Sequence, residues 1–173
     1  MDRNTPSRTS ALPWLLLSLV VIAADQLTKY LVLHALEPYV PLPVIPGLLN
    51  WTLAFNTGAA FSFLQDQAGW QRWLFSALAI AVSAMLTRWL ATLRRQDWRN
   101  ALPIALVIGG ALGNLIDRLR AGKVTDFIEV YYRDWSFPAF NVADSAISVG
   151  AVLLLWFGLF ASRSSTNSAK SGP

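Results

Sequence analysis

The 173-residue chain contains no cysteine and a single histidine, His34. The first absence removes disulfides, thiolate nucleophiles and cysteine-based zinc sites. The second makes a histidine-rich metal site or a Ser/His catalytic pair improbable. Charge is also scarce: Asp, Glu, Lys and Arg make up 14% of the residues against 54% hydrophobic, too little to keep a domain of this size in solution. A net charge of +4 would point to nucleic acid in a soluble protein. Here the cations flank apolar runs, so membrane topology accounts for them better. No internal repeat is present.

What the chain does have is four long apolar runs, residues 12–33, 70–93, 101–119 and 139–161. About 20 apolar residues suffice to cross a bilayer core. The expected fold is therefore an all-α integral membrane protein, one membrane domain of four transmembrane helices. Extramembrane segments would lie at 34–69 and 120–138, and mobile termini at 1–11 and 162–173. The first run begins basic and offers Ala23 and Ala24 as a cleavage point, as a signal peptide would. Ile22 fits the third position before that cut poorly and residues 30–33 continue the apolar pattern, so the run is read as a retained span. Trp70, Trp73 and Trp89 sit at the ends of the second run, where interfacial aromatic anchors belong.

Between the first two runs, Pro38, Pro41, Pro43 and Pro46 rule out a continuous helix, while residues 50–56 alternate as a short strand does. The NTGAAFSF stretch, 56–63, is rich in small residues that let a backbone approach another group closely; it would serve equally as a turn into the next helix. In the second extramembrane segment, DFIEVYY fits a short helix or a strand at the interface, and the pattern does not decide.

Polar residues fall in register on the apolar runs. Asp25, Thr28 and Lys29 share a face, either as an ion pair at a helix end with Lys29 reaching the headgroups or as site groups turned inward. Gly109 and Gly113 have the spacing of close helix packing, and Gly110, Gly113, Asn114, Asp117 and Arg118 form one small and polar face. Asn141, Asp144, Ser145 and Ser148 form a stripe at the start of the fourth run. Arg3, Arg8, Arg88, Arg94, Arg95, Arg99, Arg163 and Lys170 lie on one side of the four runs, whereas residues 34–71 contain neither Lys nor Arg. By the positive-inside rule both termini are cytoplasmic. Asp25, Asn56, Arg118, Asp126 and Asp144 then gather at the external face.

Two nearby carboxylates cannot both ionise cheaply, so one serves as base while the other holds a proton. Asp126 and Asp144 could form such a dyad, activating water against a peptide carbonyl without metal, thiol or histidine. The plainer alternative puts Asp126 in a loop salt bridge and Asp144 against a helix dipole. A proton-coupled transporter would want midplane acids or broken helices in paired repeats, and neither is apparent. In a non-enzymatic scaffold the polar stripes would merely join helices.

Five blocks in order carry a family resemblance: DQLTK (25–29), NTGAAFS (56–62), GGALGNLIDR (109–118), VTDF (124–127) and FNVAD (140–144). Together they resemble the lipoprotein signal peptidases, signal peptidase II. The resemblance implies a bacterial inner-membrane aspartic endopeptidase with a small extracytoplasmic β-cradle after helix one and a short periplasmic helix before helix four. It implies removal of the signal peptide from diacylglyceryl-modified prolipoproteins, cut before the lipidated cysteine. Asp126 and Asp144 match the catalytic pair, and Asn141 a residue that holds it. Asp25, Lys29, Asn56, Gly110, Asn114, Arg118 and Ala143 match positions that order the site or contact substrate. No metal or cofactor is expected. The partners would be lipid-modified prolipoprotein and membrane lipid, not nucleic acid, and the enzyme would act as a monomer. Trp51, Phe61, Phe63 and Leu64 are expected in a lateral acyl-chain groove or a flap over it.

Overall fold

A computed structural model describes residues 9–58 and 69–167. Four helices are long and apolar enough to cross a bilayer. They are α1 (Leu15–Ala35, led in by a 3-10 turn at Leu12–Trp14), α2 (Trp70–Thr92), α3 (Trp98–Ala121) and α4 (Val142–Asn167). Their outward surfaces keep large apolar side chains exposed, among them Leu16, Leu19, Leu78, Met85, Val152 and Leu155. A helix whose outer face is apolar needs lipid rather than water around it.

α3 is the central helix and packs against each of the other three. Its glycines make this possible. A Cβ on Gly110 would stand 2.3 Å from the Ala143 carbonyl oxygen, and one on Gly109 would stand 2.7 Å from Val21 Cβ. Gly150 does the same for α4, where an added Cβ would lie 2.8 Å from the Pro103 carbonyl oxygen. Bare backbone at these crossings lets neighbouring helices approach beyond what any side chain allows. At the end holding the chain's start, Ala11, Leu86, Leu90, Ala101, Ile104 and Ile108 form a buried apolar cluster.

Among the described residues the extramembrane strands form one antiparallel sheet ordered β1-β2-β3-β4, from β1 (Leu42–Ile45), β2 (Leu49–Asn56), β3 (Val124–Tyr132) and β4 (Trp135–Ser136). Pro46 and Gly47 turn β1 into β2, with Gly47 at φ +82° and a Leu48 N–H to Ile45 carbonyl bond of 3.0 Å. That is the type II turn the Pro-Gly pair favours. β2 and β3 are distant in sequence but register Phe55 with Thr125 and Ala54 with Asp126, with a bulge between Trp51 and Ala54.

Several expectations need correction. The stretch before the fourth span holds β3 and β4, not a short helix: among the described residues nothing between α3 and α4 is helical. The undecided DFIEVYY segment is strand because its backbone groups are taken by β2, and the first four residues of β3, Val124 to Phe127, are buried. α3 starts at Trp98 instead of residue 101, because the Asp97 carbonyl already accepts from the Asn100 and Ala101 N–H groups. α4 starts at Val142 instead of 139, because Phe140 stays extended and exchanges backbone bonds with Ile128 at 2.8 and 3.0 Å. Helix α4 also runs into the expected tail, to Asn167. Finally, residues 9–11 are not loose: Ala11 donates to the Leu93 carbonyl at 3.1 Å and Arg95 to that of Thr9 at 3.0 Å.

Candidate active site

At the sheet end of the bundle, α1, α3, α4 and β3 bring their polar residues to one place. The sharpest local device is the FNVAD block. Asn141 precedes the first turn of α4 and its side-chain oxygen accepts the Asp144 N–H at 2.9 Å, while Asp144 Oδ2 accepts the Asn141 N–H at 3.2 Å. This reciprocal arrangement is a capping box with Asp in place of the usual Glu, and it satisfies N–H groups that a helix start leaves free. It also fixes the Asp144 carboxylate at the positive end of α4.

The Asn141 amide then reaches the second carboxylate. Its Nδ2 donates to Asp126 Oδ1 at 2.7 Å, and lies 3.1 Å from Asn114 Oδ1 and 3.3 Å from the Thr125 carbonyl. Asn114 Nδ2 donates to the other Asp144 oxygen at 2.7 Å. Asp126 also takes a hydrogen bond from the Asn56 side chain, so β2 contributes to the site. Asn56 is itself held in shape, with Oδ1 accepting the Gly58 N–H at 2.8 Å.

Asp126 is only 2% exposed. Burial pushes its carboxyl up to about 7, and the negative charge of Asp144 acts in the same direction; the Asn141 and Asn56 bonds and the Lys29 charge oppose the rise. A carboxyl so placed retains a proton near neutrality, which is what an acid partner in a dyad requires.

Beneath the two aspartates lies a buried ionic layer. Lys29 Nζ is 2.8 Å from Asp25 Oδ2, 2.9 Å from Asp117 Oδ2 and 2.9 Å from Asn114 Oδ1. Lys29 is 3% exposed and Asp25 fully buried, so the headgroup-snorkelling alternative for Lys29 is wrong. The side chain points inward because two carboxylates and an amide oxygen there satisfy its three protons. Asp25 Oδ1 accepts the Ala143 N–H at 2.9 Å, which ties α1 to the first turn of α4. Thr28, by contrast, only bonds back to the Ala24 and Asp25 carbonyls of its own helix.

Asp117 and Gln26 complete this layer. Asp117 Oδ2 accepts the Thr125 N–H at 3.1 Å, and its Oδ1 takes the Gln26 amide at 2.9 Å. It therefore positions the residue next to Asp126. Sequence reasoning placed Asp117 on the correct face of α3 but did not count it among the site residues, and Gln26 was not singled out. The signal in the sequence was the face that Asp117 shares with Gly113 and Asn114.

A lateral groove of about 260 Å³ opens between α2, α3 and α4. Phe75, Leu78, Val82, Val107 and Ile147 are among its apolar walls, and Asn114, Arg118 and Asp144 supply its polar end. Arg118 sits with its guanidinium 5.2 Å from the Phe75 ring. Trp51 does not line this groove; its ring packs 5.7 Å from that of Phe127. Phe61, Phe63 and Leu64 lie outside the described residues. Gly58 has φ +96°, and a Cβ there would stand 2.6 Å from Phe75 Cε2, so this glycine is required by its backbone and by the groove wall together.

Residues 17–160 match the model of the family described as Signal peptidase (SPase) II. The chain is 57% identical to the lipoprotein signal peptidase of Xanthomonas campestris pv. campestris (strain 8004), over 87% of this chain and 90% of that protein. It is 53% identical to the lipoprotein signal peptidase of Xylella fastidiosa (strain M12), over 92% and 96% respectively. Two solved structures of a bacterial membrane enzyme, obtained in meso at 1.9 and 2.3 Å, superpose with TM-scores of 0.73 and 0.75. They share 31% and 30% identity with this chain, covering 83% and 93% of it and 90% and 93% of themselves.

Proposed function

Because this chain belongs to the signal peptidase II family, we propose that it removes the signal peptide from diacylglyceryl-modified prolipoproteins, with Asp126 and Asp144 as its acid/base pair. The observation that carries this reading is the Asn141 bridge, which joins Asp126 to Asp144, the carboxylate at the polar end of an apolar groove.

In this mechanism the pair holds one proton. The ionised carboxylate takes a proton from water as the water oxygen bonds to the scissile carbonyl carbon. The protonated carboxyl gives its proton to the carbonyl oxygen, leaving a neutral tetrahedral diol. Collapse returns a proton from the diol to the site, breaks the C–N bond and delivers the other carboxyl proton to the leaving nitrogen. Asn141 and Asn114 orient the pair, and the Asp25, Lys29 and Asp117 layer holds the elements that carry it. Gly110 and Ala143 set the α3 to α4 approach. Arg118, beside Asp144 in the groove, is placed to meet the substrate backbone or the lipid's polar linkage. The groove takes apolar substrate from the bilayer side, and the cut falls before the lipidated cysteine.

The distribution of cations supports an inner-membrane orientation with both termini cytoplasmic and the dyad near the periplasmic face. The enzyme acts as a monomeric, single-domain protein with no cofactor. The test is direct: purified protein in lipid is incubated with a diacylglyceryl-modified precursor and with its unmodified counterpart. Release of signal peptide from the first alone is expected. Absence of cleavage by folded protein, or equal cleavage of both, would overturn the proposal.

A further inference from the structure

At the opposite end of the bundle from the dyad, a groove of about 360 Å³ is lined by Pro13, Trp14, Leu16, Leu17 and Arg95. Four of these five residues are apolar and come from the start of the first span. The fifth is a cation from the loop between α2 and α3.

That cation is held in place. The Arg95 N–H donates to the Thr9 carbonyl at 3.0 Å and its carbonyl accepts the Trp14 indole N–H at 3.2 Å. Ser10 and Arg94 pair as an antiparallel bridge alongside. Both peptide groups of Arg95 are thus fixed, and the residue borders the groove from a defined backbone. Among the described residues the salt bridges all involve Lys29, and no described carboxylate pairs with Arg95. Arg94 and Arg99 add charge within the same short stretch, where Asp97 is the only acid. The Asp97 side chain is engaged with the Arg94 N–H at 3.0 Å.

We propose that this groove binds an anionic phospholipid, its phosphate on Arg95 and an acyl chain along Leu16 and Leu17. An apolar trough that starts at the end of a membrane span and finishes on an exposed arginine matches the two halves of such a molecule. Basic pockets at the ends of membrane helices select acidic headgroups in this way. A zwitterionic lipid offers the same chain but brings its own cation next to Arg95, so charge complementarity favours phosphatidylglycerol.

The experiment uses the full chain in micelles, titrated separately with phosphatidylglycerol and phosphatidylcholine, with retained lipid read by native mass spectrometry. Wild type should retain phosphatidylglycerol preferentially. Arg95→Gln should weaken that retention about fivefold, the worth of one basic residue near an anionic headgroup. Leu16→Trp, at an exposed position, should fill the trough and weaken it with the charge intact. Arg88→Gln removes a charge from the same end without touching the groove and should leave retention unchanged. Equal retention of both lipids, or equal losses for Arg88→Gln and Arg95→Gln, would overturn the site in favour of diffuse attraction.

Discussion

Asn141 Nδ2 stands 2.7 Å from Asp126 Oδ1 while the same residue exchanges two hydrogen bonds with Asp144, so a helix cap and a carboxylate bridge are one side chain. The start of α4 cannot move without moving both aspartates.

Asn141→Ala should therefore produce two separable effects. Loss of the cap should cost about 1 kcal/mol of stability. Loss of the bridge should lower kcat for precursor cleavage by far more than that stability change explains. Thermal unfolding and turnover measured on the same preparation distinguish them.

Asp126→Asn and Asp144→Asn should each reduce cleavage by at least about 100-fold, within the usual range for general acid/base groups, while leaving helical content intact. Near wild-type turnover by either folded variant would remove that residue from the chemistry.

The pH dependence follows from the raised Asp126 carboxyl. Its folded value, about 7, is above the unfolded value of 3.8. A carboxyl shifted upward binds its proton better in the folded state. Its contribution to stability is complete below the unfolded value and is lost as pH rises through about 7. Wild-type thermal stability should decline from pH 5 to pH 8, and Asp126→Asn should flatten that decline. Single-turnover cleavage should fall on the alkaline side as the pair loses its one proton, and on the acid side as it gains a second. A flat rate profile across this range would contradict the shared-proton mechanism.

Gly110→Ala and Gly158→Ala make a matched pair. The added methyl would meet the Ala143 carbonyl at the first position and has nothing within 4 Å at the second. The first should cost about 1–3 kcal/mol through overpacking and reduce cleavage by displacing α4; the second should be silent in both assays.

Lys29→Met would strand Asp25 and Asp117 as buried carboxylates without their cation, a loss of about 3–5 kcal/mol for breaking such an arrangement. Adding Asp117→Asn to that variant should recover part of the stability, since one stranded charge is then gone. Simple addition of the two single losses would show that the residues do not act as a unit.

Much of this was legible in the chain itself. The four apolar runs, the shared face of Asp25 and Lys29, and the Asn141 to Asp144 spacing all follow from helical periodicity, which is local. The pairing of β2 with β3 was not legible, because it joins residues far apart in the chain, 70 positions in the case of Phe55 opposite Thr125, and no local pattern encodes such a partner. For the same reason the pattern of DFIEVYY did not decide between helix and strand. Asp117 was overlooked because its value depends on Lys29 and Thr125 reaching it from two other elements. The pinned residues 9–11 read as a tail because backbone bonds to a distant loop leave no mark on side-chain composition.

The spacing of Asp25 and Lys29 has a bearing on how the chain enters a bilayer. Isolated charges in a nascent span oppose its insertion. These two are one helical turn apart, so α1 can leave the aqueous phase as an internally neutral unit before any later segment has been synthesised. Asp117 arrives two spans later and finds a cation already in place on α1. Lys29 can meet its second carboxylate only after α3 is threaded beside the first span, so this ionic layer is complete before α4 brings Asn141 and Asp144 onto it.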